Sequence, residues 1–389
     1  MLPPRWLRRV LVAPVALLVI GAALFGMPLW LLVAAALSPV LPGRWRPLRF
    51  LWFVVLYLAL EFVSLVLLFG LWVGTGFGAA VRAGWSMRMH YRLIRWFLRV
   101  LAWESERVLG VRIRVDGASP EDGVGHPQLV MARHAGVGDS FLVVHALMNW
   151  YHREPRIVLK YTLQWDPAID IILNRLPNRF ISPEPGRAGP VVERSIGELA
   201  ADLDADDCLV IFPEGGNFTP ARRLRAIDRL RSAGLTDAAA AAGQMSHVLA
   251  PRPGGVRAAL EAAPGADAVF VAHTGLEHLA SAYDLWHHLP MDTEIRMHWW
   301  RVPAAEVPRG DDIADWLFQW WARIDAWVAE HSIEVVAPRV VDMSGAAAPD
   351  VTAPDVTAPG VAAPGVAAPG VAAPGVADPD VADPQAPPP

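Results

Sequence analysis

The sequence predicts an α/β domain, a sheet flanked by helices, carried behind an apolar helical hairpin and followed by a proline-rich tail. Three observations predict it. Beyond Pro127 short apolar runs alternate with segments of helical periodicity, the pattern of strands joined by helices. Before that, two long apolar runs occupy the N-terminus. After about Ser344 the chain turns to Ala-Pro-Gly-Val and Ala-Pro-Asp-Val at a period of five. The chain has 389 residues, 53% of them apolar, with a formal charge of −5. That composition predicts membrane contact, and the charge implies no nucleic-acid partner.

From Val10 to Leu41 no side chain is charged, and from Leu48 to Val81 only Arg49 and Glu61 are. Each run exceeds the roughly 20 residues a helix needs to cross the hydrocarbon core. Leu41-Pro42-Gly43-Arg44 and Pro47 supply the turn between them, so residues 1–81 read as a transmembrane hairpin. Arg5, Arg8 and Arg9 precede it, Arg82, Arg88, Arg92, Arg95 and Arg99 follow it, and Arg44, Arg46 and Arg49 occupy the turn. The count favours both ends, and the domain that follows, on the cytoplasmic side of the cell membrane. Residues 82–126 form a basic connector: Trp85 to Leu109 mixes arginines with apolar residues at helical spacing, a helix for the headgroup region or one packed on the domain.

The domain is expected over residues 127–335. Strands are expected at Gln128–Arg133, Arg156–Tyr161, Arg179–Ser182, Cys208–Phe212, Ala268–His273 and Glu294–Trp299. Helices are expected at Ser140–Tyr151, Pro190–Leu203, Pro220–Ala233, Gly255–Ala263 and Asp312–His331, the last with a face rich in tryptophan. The lone Cys208 in an apolar run forms no intrachain disulfide and reads as a core residue. Residues 336–389 lack the large apolar side chains of a core and read as a disordered, non-catalytic tether.

Chemistry concentrates at two strand ends. Arg133-His134-Ala135-Gly136-Val137-Gly138-Asp139-Ser140 stands between an expected strand and an expected helix, where α/β sheets display catalytic groups. The glycines let the backbone fold back, so the Asp139 carboxylate returns to the His134 imidazole. A histidine takes a proton from a hydroxyl near neutral pH, and an adjacent carboxylate fixes its tautomer. The nucleophile can then be an acceptor's own hydroxyl, with no enzyme serine required. His287 and Asp292 repeat the spacing without the strand-to-helix setting and serve as an internal control. At the second strand end, Phe212-Pro213-Glu214-Gly215-Gly216-Asn217-Phe218-Thr219-Pro220 offers backbone N–H groups to an anion and a helix start at Thr219. Arg222, Arg223 and Arg225 in the first turns read individually as solvated charge.

His134 to Asp139 resembles the His-x4-Asp motif of the glycerolipid acyltransferases that make phosphatidic acid from lysophosphatidic acid, and Phe212-Pro213-Glu214-Gly215 resembles their Phe-Pro-Glu-Gly motif. Lys160-Tyr161-Thr162-Leu163 with Pro167 is similar to the Lys-x-x-Leu-x-x-x-Pro segment between them. Thr219 and His247-Val248-Leu249-Ala250-Pro251-Arg252 are similar to the branch with lysocardiolipin and lysophosphatidylinositol acyltransferases. The resemblance covers roughly Val81 to Val302.

It implies a central mixed sheet, His134 as general base, Asp139 as its partner, and Glu214, Gly215, Arg252 and Lys160 at the substrate. It further implies an acyl-CoA or acyl-carrier-protein donor, no cofactor or metal beyond it, and membrane lipids as partners. The common Glu-Gly-Thr-Arg is Glu214-Gly215-Gly216-Asn217 here, Arg133 replaces a frequent asparagine, and a third-motif arginine has counterparts in Arg179 and Arg187. Arg133 or backbone N–H groups are the expected oxyanion donors. A metal hydrolase finds no His-x-x-x-His pair; the remaining alternative is a non-catalytic membrane scaffold.

Overall fold

A computed structural model describes residues 2–41, 43–136, 138–181, 188–277 and 282–332. The expectations for Ser182, Arg187 and the tail from residue 336 lie outside the described residues.

Seven strands form one sheet in the order β1-β7-β6-β2-β5-β3-β4. They are β1 (Arg112–Gly117), β2 (Gln128–Ala132), β3 (Glu154–Lys160), β4 (Arg179–Ile181), β5 (Asp207–Ile211), β6 (Asp267–Thr274) and β7 (Glu294–Val302). All pairings are parallel except β6 with β7, so the sheet is mixed. Strands β2, β5 and β6 are buried from end to end, which is why they read as unbroken apolar runs. The alternation of side chains splits their residues between two cores. Leu129, Met131, Leu209, Ile211 and Phe270 face one, with Trp321 and Val256 from helices. Val130, Ala132, Cys208, Val210 and Val271 face the other.

The helices are α1 (Arg5–Leu37), α2 (Arg46–Gly74), α3 (Gly84–Glu104), α4 (Asp139–Asn149), α5 (Pro167–Leu173), α6 (Ala188–Ala200), α7 (Pro220–Ser232), α8 (Thr236–Gln244), α9 (Pro253–Ala262), α10 (Ala282–His288) and α11 (Asp312–His331). The five helices expected in the domain are present. Strand β1 arises inside the stretch expected as a connector: its alternating Arg-Ile-Arg-Val-Asp is largely exposed at the sheet edge, so it carries no apolar run. The short α5, α8 and α10 likewise lie outside the expected elements.

Helices α1 and α2 are long and apolar enough to cross a membrane. Helix α2 also packs along the domain. Near its start Arg46 Nε donates to the Leu289 carbonyl at 2.9 Å and Arg44, in the preceding turn, pairs with Asp292 at 2.5 Å. Midway, the Tyr57 hydroxyl donates to Asp166 at 2.8 Å and Glu61 accepts the Ala168 N–H at 3.0 Å. Toward its end Leu65 and Leu68 join a core with Tyr91, Leu93 and Leu98 of α3. The connector helix α3 thus packs its apolar face inward on the domain, while Trp85, Met89, Trp96 and Trp103 stay exposed.

Candidate active site

The site gathers at the C-terminal ends of β2 and β5. The chain leaves β2 at Arg133 and re-enters the fold at Asp139, the first residue of α4, whose side chain is fully buried. His134 Nδ1 lies 2.9 Å from Asp139 Oδ2, and the same oxygen accepts the N–H groups of Ala135 at 2.7 Å and Gly136 at 3.0 Å. The other oxygen accepts from the Ser140 hydroxyl at 3.2 Å. A carboxylate on Nδ1 requires the hydrogen there, which leaves Nε2 as the acceptor on the exposed side of the ring. Burial alone raises the Asp139 carboxyl, but the hydrogen bond from His134, the neighbouring His273 ring and the Gly136 N–H outweigh it and hold the group below its ordinary value. The carboxylate is therefore charged at neutral pH. His134 leans its ring on Phe212, with centroids 4.6 Å apart.

The second strand end is tied to the first. Glu214 Oε1 accepts the His134 N–H at 3.0 Å, Oε2 accepts the Leu249 N–H at 2.9 Å, and the Phe218 N–H donates to the His134 carbonyl at 2.8 Å. The acid of the Phe-Pro-Glu-Gly segment is thus buried and spans three chain segments.

Gly215 sits at φ +69°, where a Cβ would stand 3.0 Å from the Arg252 guanidinium carbon. Arg252 is held by its own N–H on the Pro213 carbonyl at 2.9 Å, and among the described residues its guanidinium pairs with no carboxylate. Thr219 caps α7 through the Arg222 N–H at 3.2 Å. Arg223 is spent on the carbonyls of Met245 and Gly243. Lys160, exposed at the end of β3, stands two strands from β2.

Arg133, an expected oxyanion donor, is committed elsewhere. It is 1% exposed, and its guanidinium donates to the His273 and His247 carbonyls and to Glu277. Of the two third-motif arginines, Arg179 pairs with Glu198 at 3.1 Å on the surface. The control pair does not form: His287 Nδ1 turns to the Tyr283 carbonyl at 2.8 Å, and Asp292 pairs with Arg44. His273, whose Nε2 lies 3.9 Å from Asp139 Oδ2, joins the site without having been singled out for it. An isolated histidine in an apolar strand carries no such signal in sequence.

An apolar cavity of about 370 Å³ lies beside the pair. Gly138 before Asp139 and Phe141 and Leu142 of α4 line one side; Phe53 of α2 and Leu98 and Leu101 of α3 line another.

Residues 112–273 match the sequence model of the family described as Acyltransferase. Among solved structures, the 1-acyl-sn-glycerophosphate (LPA) acyltransferase PlsC of Thermotoga maritima is similar at 14% identity and a TM-score of 0.40, over 69% of this chain and 98% of that one. None of the curated protein sequences compared with the chain matches it. The chain carries an acyltransferase domain, and the protein is an O-acyltransferase.

Proposed function

We propose that the protein moves a fatty acyl group from an acyl-CoA or acyl-carrier-protein thioester to a hydroxyl of a lysophospholipid, lysophosphatidic acid or a lysolipid with a larger head group. The observation that carries this is the contact of a charged, buried Asp139 with His134 at 2.9 Å beside an apolar cavity of about 370 Å³, within the size of small-ligand pockets. The acceptor hydroxyl gives its proton to His134 Nε2 as its oxygen attacks the thioester carbon. Asp139 stabilises the imidazolium, which protonates the leaving thiolate when the tetrahedral intermediate collapses. With Arg133 committed, the oxyanion falls to backbone N–H groups of the surrounding loops.

In this reading the cavity takes the acyl chain, and Arg252 takes the acceptor phosphate, because its guanidinium, unpaired among the described residues, suits a phosphate and Gly215 lets the ligand approach. Lys160 adds charge at the same sheet end. Glu214 shapes the acceptor site by holding the backbone of His134.

Detergent-purified protein given a long-chain acyl-CoA is expected to release free thiol only when a lysolipid is added. Thiol release indifferent to the lysolipid, or none with either donor, contradicts the reading.

The protein associates with the membrane through α1 and α2. The arginine count favours a hairpin that crosses the bilayer with both ends and the domain on the cytoplasmic side. The contacts of Arg44 and Arg46 with Asp292 and Leu289 favour a turn that stays on the domain's own side, with the pair dipping into one leaflet.

A further inference from the structure

Behind the His134–Asp139 pair lies a second histidine that this chemistry leaves unused. His273, near the end of β6, has no exposed surface, and its Nε2 lies 3.0 Å from the Arg133 carbonyl oxygen. A carbonyl partner requires Nε2 to carry the hydrogen and donate it. This bond is one half of a reciprocal pair, because Arg133 Nη1 donates back to the His273 carbonyl at 2.6 Å. The Arg133 N–H donates to the Val271 carbonyl at 3.0 Å, so the residue preceding His134 is held through both backbone groups and its side chain.

The charged and titratable groups facing the ring are Asp139, Arg133 and Glu277, with His134 beyond Asp139. Glu277 is itself paired with Arg133 at 2.7 Å. Burial lowers the basicity of His273, and Arg133 adds to this against the opposing pull of Asp139. Among the described residues its Nδ1 has no hydrogen-bond partner, so a second proton would be a buried, unsatisfied donor. Burial and the unsatisfied Nδ1 both favour the neutral ring, whose Nε2–H is spent on the Arg133 carbonyl.

We propose that His273 is a positioning residue for acyl transfer: by holding the Arg133 carbonyl it fixes the peptide from which the His134 imidazole reaches Asp139. The proposal rests on the reading of His134 as the base. His273 is fully buried and offers no surface to a substrate, so its removal should act on turnover and spare binding.

The test compares His273→Gln, whose longer side chain carries an amide nitrogen to the place of Nε2, with His273→Asn, whose amide falls short of it. His134→Ala is assayed beside them for lysolipid-dependent thiol release. The Asn variant is expected to lose about 10- to 100-fold in kcat, the cost of misplacing a catalytic group by an ångström or less, with KM for both substrates within about two-fold. The Gln variant is expected to keep kcat within about three-fold. If the Asn protein does not fold, His273→Leu takes its place in the comparison. Asn or Leu variants with wild-type kcat beside an inactive His134→Ala, equal losses in Asn and Gln, or a loss confined to KM overturns the positioning role. An active His134→Ala instead removes the base assignment on which it stands.

Discussion

Both oxygens of Glu214 accept backbone N–H groups, from His134 at 3.0 Å and Leu249 at 2.9 Å. Burial pushes this carboxyl up to about 7 from an ordinary 4.5, against the opposing pull of those N–H groups. A folded value above the unfolded one gives stability that is fully present below about 4.5 and lost as pH rises through about 7. Glu214→Gln should therefore flatten the fall of thermal stability between these pH values. It should also cost about 1–3 kcal/mol at any pH, since the amide nitrogen cannot accept one of the two N–H groups. Thermal unfolding of both proteins across that range checks this, and an unchanged slope contradicts it. At this scale the sequence carried the His134–Asp139 contact, because strand, glycines and helix start were all local. It did not carry Arg133 or His273, whose meaning comes from bonds made across 140 residues.

The loop between β5 and α7 brings Gly215 beneath Arg252. Gly215→Ala would place a methyl group 3.0 Å from the guanidinium carbon at a positive φ. The left-handed backbone costs an L-residue roughly 1–2 kcal/mol, and Arg252 must move. The expected result is a rise of about ten-fold in KM for a phosphate-bearing lysolipid, with a smaller change in kcat, because one charged hydrogen bond is worth about 1.5–3 kcal/mol. Arg252→Ala should reproduce it. Steady-state kinetics with the lysolipid varied decides, and an effect limited to kcat would remove Arg252 from acceptor binding. Thr219→Ala, which loses only a helix cap, should cost about 1 kcal/mol of stability without altering KM. Long or uniformly apolar elements were legible in advance. Strand β1 was not, since it alternates exposed charge with apolar residues at a sheet edge. Neither was α5, only seven residues long although Asp166 and Pro167 mark its start.

For the whole molecule, the domain and the two N-terminal helices form one compact unit, in which α2 joins α3 and the domain in walling the apolar cavity. A cysteine at position 44 in membrane vesicles should react with an impermeant maleimide from the same side as a cysteine placed on the exposed face of α7; native Cys208 is buried and silent. Reaction from the opposite side alone would establish a hairpin that crosses the bilayer. Deleting residues 345–389 should leave specific activity within a few-fold, as the repeat offers no ionisable group suited to catalysis. The central claim, that His134 is the general base of lysolipid acylation, is tested most directly by lysolipid-dependent thiol release from His134→Ala and His287→Ala measured side by side. The account predicts a loss of about 10²- to 10⁴-fold for the first and near wild-type turnover for the second; near-normal turnover by His134→Ala, or equal damage from His287→Ala, would contradict it.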